Sequence, residues 1–171
     1  MTRKKSIPSA DKIEELVTAT EQNWRGKDST FSAEAIGLFT RIFTLARLES
    51  AFYDHVLKDS DRNATEHYLL SMLRTFGPQS PTQLNVALIQ TSGGVTNVLT
   101  RLEKAELITR VRPAGDRRAV EVRLTAKGRK EADHSIKVVG EAIQERVNLL
   151  QPTQRQAANA ALDVLINMLL D

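Results

Sequence analysis

The feature that most limits how this chain can fold is a double change of apolar period between Val95 and Leu124. Val95, Val98, Leu99 and Leu102 fall at i, i+3, i+4 and i+7, the spacing of one buried face of a helix. After Leu107 the period drops to two. Ile108 to Arg112 reads as one strand, and Val120, Val122 and Leu124 alternate with Glu121 and Arg123 in a second. Pro113-Ala114-Gly115-Asp116 supplies the loop between them. From Thr125 onward the helical period returns. A two-stranded hairpin embedded among helices must lean on them, because an isolated hairpin is marginal in water.

The flanking segments extend the helical pattern. Residues 9–24 carry Ile13, Leu16, Val17 and Trp24 among charges, and Gly26 ends them. From Phe31 to Val56 apolar residues recur at helical spacing. Asn63 and Glu66 form a capping-box signature before Leu69, Leu70 and Leu73, and Gly77-Pro78 stops that helix. Ser80, Pro81 and Gln83 repeat the box, with proline at the first helical position, ahead of a short helix carrying Leu84, Ala87 and Leu88. Thr125 caps the next helix, and Pro152 opens a last one with Ala157, Ala161, Val164, Leu165 and Met168 on one side. The expected fold is mainly α with a small β-hairpin.

Charge points the same way. The net charge is +3, but residues 101–130 hold ten basic and four acidic side chains, so the remainder sums to −3. A basic middle between mildly acidic ends suits a segment that meets polyphosphate. The helix from Ser92 leaves Thr96, Asn97, Thr100, Arg101 and Lys104 outside its apolar stripe, with Gly93 and Gly94 at its start. Short polar side chains bond base edges or phosphate, and glycines let backbone N–H groups approach an anion. Arg117 and Arg118 sit at the hairpin tip, where a guanidinium can enter a minor groove, and Asp116 can brace one of them. Thr82, Gln83, Thr91, Ser92 and Arg112 complete the expected DNA-binding set.

Other chemistries find no support in the residues. With no cysteine there is no disulfide or thiolate zinc site, which fits a reducing cytoplasm. His55, His67 and His134 are dispersed. No nucleophile–base pair, nucleotide loop or membrane-length apolar run is present, so the expectation is a cytoplasmic protein that is not an enzyme and carries no cofactor or metal.

In this order the motifs Gly77-Pro78-Gln79-Ser80-Pro81-Thr82-Gln83-Leu84, Thr91-Ser92-Gly93-Gly94-Val95-Thr96-Asn97, Arg101-Leu102-Glu103-Lys104-Ala105-Glu106-Leu107-Ile108-Thr109-Arg110, Asp116-Arg117-Arg118 and Leu124-Thr125-Ala126-Lys127-Gly128 resemble the MarR (multiple-antibiotic-resistance regulator) family over roughly residues 31–150. The resemblance implies a winged helix-turn-helix with a helical dimerisation region, divided into an N-terminal extension with an extra helix (1–30), a dimerisation region (31–62 and 126–171) and a DNA-binding region (63–125). It implies a homodimer and a palindromic operator in double-stranded DNA, commonly bound as a repressor. It also implies release by a small anionic aromatic ligand. Glu106 stands where the family usually has glycine. The helix ending in Asn23-Trp24-Arg25 is similar to the extra helix of the urate-responsive branch. Trp24 and Arg110 match that branch's ligand site, whereas Tyr68 replaces its Asp and Val98 its first Arg. Two other readings of the residues remain beside a ligand-responsive repressor: a helical dimeric protein-interaction adaptor, and a constitutive DNA binder without a ligand.

Overall fold

A computed structural model describes residues 9–25, 32–88, 92–112 and 119–170. Among them are seven helices and one hairpin, in the order α1 (Ala10–Trp24), α2 (Ala33–Val56), α3 (Ala64–Phe76), α4 (Pro81–Ala87), α5 (Ser92–Lys104), β1 (Ile108–Val111), β2 (Glu121–Leu124), α6 (Ala126–Val147) and α7 (Pro152–Leu170). The chain divides after Lys58 into two compact units.

In the first unit α1 packs on α2. Ser32 caps α2 by accepting the Ala35 amide at 3.0 Å. Glu21 lies so close to Gly37 that a Cβ there would overlap its carboxylate, and the same carboxylate pairs with Arg41 at 2.7 Å.

The second unit is built around Leu69, Leu70, Leu84, Val95, Leu99, Leu102 and Val122, all at most 2% exposed. The predicted stripe of α5 is therefore its buried face. Both predicted capping boxes form: Asn63 Oδ1 accepts the Glu66 amide at 3.0 Å, and Ser80 Oγ accepts the Gln83 amide at 3.2 Å. Each box matters because the first amides of a helix have no partner inside it.

The hairpin pairs antiparallel in the register Ile108↔Leu124, Thr109↔Arg123, Arg110↔Val122 and Val111↔Glu121. Ile108 and Val122 are buried beneath it, while Arg123 turns outward and pairs with Glu121 at 2.7 Å. A third segment joins the sheet. Gln79 exchanges two backbone bonds with Val122, at 3.2 and 2.8 Å, tying the α3–α4 turn to the hairpin. Gly77 makes that turn with φ of 75°, in the region that favours glycine.

The end of α5 is closed by a helix stop of the kind usually made with glycine. The Leu107 amide bonds the Leu102 carbonyl and the Glu106 amide bonds the Glu103 carbonyl, both at 2.9 Å, which is the paired pattern of a Schellman motif. Glu106 takes the left-handed position, with φ of 60°. Leu107 and Leu102, the two residues that should touch in such a motif, share the core. The segment Leu124–Gly128 is fastened to this stop. Thr125 donates its hydroxyl to the Glu106 carbonyl at 2.7 Å and accepts the Gly128 amide at 2.9 Å. Lys127 Nζ donates to the Ala105 carbonyl at 2.9 Å. Gly128 lies directly on the Leu107 carbonyl, where any Cβ would collide with backbone.

Helix α6 then packs on α3. His67 of α3 is buried and its Nδ1 lies 3.2 Å from Ser135 Oγ. The Ser135 hydroxyl donates to the Ala132 carbonyl, so it accepts from the imidazole. Helix α7 contains no buried residue in the single chain.

Candidate nucleic-acid interface

The outer face of α5 is the candidate surface. Gly93, Thr96, Asn97, Thr100, Arg101 and Lys104 are exposed, Gly94 is half-buried, and the opposite side is the core stripe. Ser92 is the first residue of the helix. Thr82 and Gln83, exposed in the first turn of α4, belong to the same unit, and Gln83 Oε1 also closes the α4 cap by accepting the Ser80 amide at 2.8 Å. Arg112 is exposed just after β1. Thr91, Asp116, Arg117 and Arg118 lie outside the described residues.

Arg101, expected at this surface, and Arg110, expected in the ligand site, are both held by carboxylates. Arg110 on β1 reaches α5, with Nε 3.4 Å from Glu103 and Nη2 3.4 Å from the Thr100 hydroxyl. Thr100 in turn donates to the Thr96 carbonyl at 2.9 Å. The hairpin and the helix are thus linked by polar contacts as well as by Ile108 and Leu102 beneath them. Arg101 Nε lies 3.1 Å from Glu66 Oε1, and Arg62 lies 3.7 Å from the other oxygen of that carboxylate. Glu66 is 4% exposed. Sequence reasoning singled out Glu66 only as a helix cap. The signal for more was its charge: Gln83 performs the same capping on α4 without one.

The expected ligand residues fall on separate elements. Trp24 is at the end of α1, in the first unit and 40% exposed, while Tyr68 is on α3 and Arg110 on β1 of the second. Val98, at the position of the branch's first arginine, is a core residue on the buried side of α5. An open cleft of about 440 Å³ in the second unit is lined by Asp59, Arg62, Lys127, Glu131 and His134, among others, and by none of Trp24, Tyr68 and Arg110. Among the described residues no group of three His, Cys, Asp or Glu is placed to hold a metal, and no helix is long and apolar enough to cross a membrane.

Residues 63–120 match the model of the MarR family. An uncharacterized HTH-type transcriptional regulator of Bacillus subtilis, YkoM, is 35% identical over 96 residues, covering 54% of this chain and 61% of YkoM. That match spans less than two thirds of the relative. The HTH-type transcriptional regulator PecS of Dickeya dadantii is 28% identical over 134 residues, covering 77% of this chain and 79% of PecS. The structure of MepR from S. aureus in complex with DNA superposes with a TM-score of 0.69 at 24% identity, over 77% of this chain and 97% of that one, and shows the shared fold. The match begins at the Asn63 cap and runs through α3, α4, α5 and β1, the elements that carry the candidate surface, and over these residues the chain is similar to the MarR family.

Proposed function

We propose that the protein is a ligand-responsive, homodimeric transcriptional repressor that binds a palindromic operator, with α5 in the major groove and the hairpin at the flanking minor groove. The observation that carries this reading is the division of α5: an apolar stripe at most 6% exposed on one side, and Gly93, Thr96, Asn97 and Thr100 exposed on the other. A helix so divided is fixed from behind and presents short donors and acceptors in front, which is what direct readout of base edges requires. MepR, which shares the fold, is a protein whose structure includes DNA.

The dimer is supported by α7. In one chain it leaves Leu162, Val164, Ile166, Met168 and Leu169 exposed, an apolar area that a second copy would cover. Two recognition helices on such a dimer would meet successive major grooves about 10 base pairs apart. A ligand would act by its difference in affinity between the DNA-competent and incompetent states.

The test is selection of duplexes from a randomised pool, followed by fluorescence anisotropy. The expected product is a palindrome, and Asn97→Ala is expected to weaken its binding by roughly tenfold or more, the worth of one good base contact. Arg117→Ala and Arg118→Ala are expected to weaken it too, with the dimer intact in sedimentation. Recovery of unrelated sequences, or full affinity in all three variants, would refute the reading. Thermal shift against phenolic acids and purines tests the ligand, since a binder of the folded state raises the midpoint.

A further inference from the structure

Glu66 is a carboxylate in a place where a carboxamide would serve the helix equally well. On α4, Gln83 accepts the N-cap amide at 2.8 Å; on α3, Glu66 does the same for Asn63 at 3.3 Å. The charge of Glu66 is therefore not required by the cap. It is also unfavourable where it stands, because its side chain is only 5% exposed and a buried carboxylate needs paired cations. The cations are Arg62, at 3.7 Å from Oε2, and Arg101, at 3.1 Å from Oε1. Arg101 is the nearer one, and it is the one carried by α5.

We propose that Glu66 is a positioning residue of the DNA-binding surface, fixing α5 against α3 through Arg101, and that Arg101 is a strut and not a phosphate ligand. The proposal rests on the reading of α5 as the recognition helix. Arg101 stands nine positions after Ser92, roughly 13 Å along the axis, whereas the short polar face that suits base contact occupies the first turns. If Arg101 swung to a phosphate it would abandon a buried carboxylate, and an exposed, salt-screened contact returns less than that loss. Arg110 with Glu103 and Thr100 makes the matching attachment between β1 and α5. The two pairs hold the helix from α3 and from the hairpin, beyond what its apolar stripe can do, since a stripe of Val and Leu tolerates sliding that a directional charged hydrogen bond does not.

The experiment is a double-mutant cycle on the full-length protein, with a labelled duplex recovered by the wild type from a randomised pool. Glu66→Gln keeps the capping box, and Arg101→Ala keeps a good helix former at an exposed position. Each is expected to lower affinity by about three- to tenfold, the factor for ordering one long side chain anew on binding. The double variant should lose no more than either single one. The slope of log affinity against log salt should equal that of the wild type in all three. In thermal unfolding Arg101→Ala should fall further than the double variant, which no longer buries a carboxylate left with Arg62 as its one cation. A slope shallower by about one per recognition helix in Arg101→Ala would make Arg101 a phosphate ligand and overturn the proposal. Additive losses in affinity or midpoint would overturn it as well. Thr96→Ala and Asn97→Ala in parallel keep the two readings apart: their full affinity would remove α5 as the recognition helix, and the proposal with it, while a loss there beside unchanged Glu66→Gln and Arg101→Ala would remove the strut alone.

Discussion

Replacing Glu106 with glycine is expected to stabilise this protein. The residue closes α5 at φ of 60°, a conformation that crowds the Cβ of any L-residue against its own backbone. Removing that Cβ relieves about 1 kcal/mol. Two effects oppose the gain. The Glu106 carboxylate lies 3.8 Å from Lys127 Nζ, but the side chains are 83% and 63% exposed, so the pair contributes little after screening. Glycine also gives the unfolded chain more freedom, an effect that normally costs a few tenths to about 1 kcal/mol but is outweighed where φ is positive. The bonds at the stop use only the backbone of Glu106, whose amide donates to the Glu103 carbonyl and whose carbonyl accepts the Thr125 hydroxyl, and both survive the substitution. The net gain is about 0.5 kcal/mol, a rise of roughly 1–2 °C in midpoint for a chain of this size. Urea and thermal unfolding at fixed protein concentration measure it, because the midpoint of any self-associating protein moves with concentration. Lys127→Gly is the wrong control, since Lys127 also caps the Ala105 carbonyl. Glu106→Gln is the right one: it keeps the Cβ and removes the charge, and should leave stability within about 0.5 kcal/mol of the wild type. If Glu106→Gly is destabilised while Glu106→Gln is not, the strain argument at this stop is wrong.

Three further outcomes follow from the same unit. Gly128→Ala places a Cβ on the Leu107 carbonyl, where the atom it meets is backbone and cannot swing aside, so it is expected to cost about 1–3 kcal/mol in urea unfolding. Thr125→Ala removes both the α6 cap and the bond to the Glu106 carbonyl, and is expected to cost about 1–2 kcal/mol by the same measurement. Burial lowers the pKa of His67 from its ordinary 6.5, so the folded state resists a proton that the unfolded chain accepts. That contribution is intact above about pH 6.5 and is lost as pH falls below it, and the stability difference between wild type and His67→Gln should shrink or invert between about pH 6.5 and pH 5.

Much of this architecture is legible in the residues because caps and periods are local. Asn63 with Glu66, Ser80 with Gln83, and the stripe Val95, Val98, Leu99, Leu102 each lie within two turns of helix, and each forms as read. What escapes is non-local or singular. The bridge from Gln79 to Val122 is one residue long and leaves no period to detect. The pairing of Glu66 with Arg101 spans the whole of α4, and sequence spacing assigns a carboxylate at that position to its own helix first. The family's usual glycine at 106 marks the position in the sequence, but the full Schellman motif made with glutamate rests on two backbone bonds and a positive φ that no spacing of residues encodes. The segment Leu124–Gly128 was visible as a motif, while its reason was not. Threonine, lysine and glycine there all address carbonyls at the end of α5, from residues 105 to 107.

These attachments decide which positions on α5 can change without disturbing the fold. Asn97 is exposed on the side away from the core, so Asn97→Ala should leave the unfolding free energy within about 0.5 kcal/mol while lowering duplex affinity. Thr100 is different, because its hydroxyl donates to the Thr96 carbonyl and accepts from Arg110. Thr100→Val keeps the shape and removes both bonds, leaving Arg110 with Glu103 alone. If the Thr100 hydroxyl acts on DNA through the hairpin, Thr100→Val and Arg110→Ala must be non-additive in affinity, since both break the same link. If it acts by touching a base, the two losses add, and Arg110→Ala leaves the preference at that base unchanged. Anisotropy titrations of the two single variants and the double one against the selected duplex separate these outcomes, and additive losses would assign Thr100 to base contact instead of hairpin alignment.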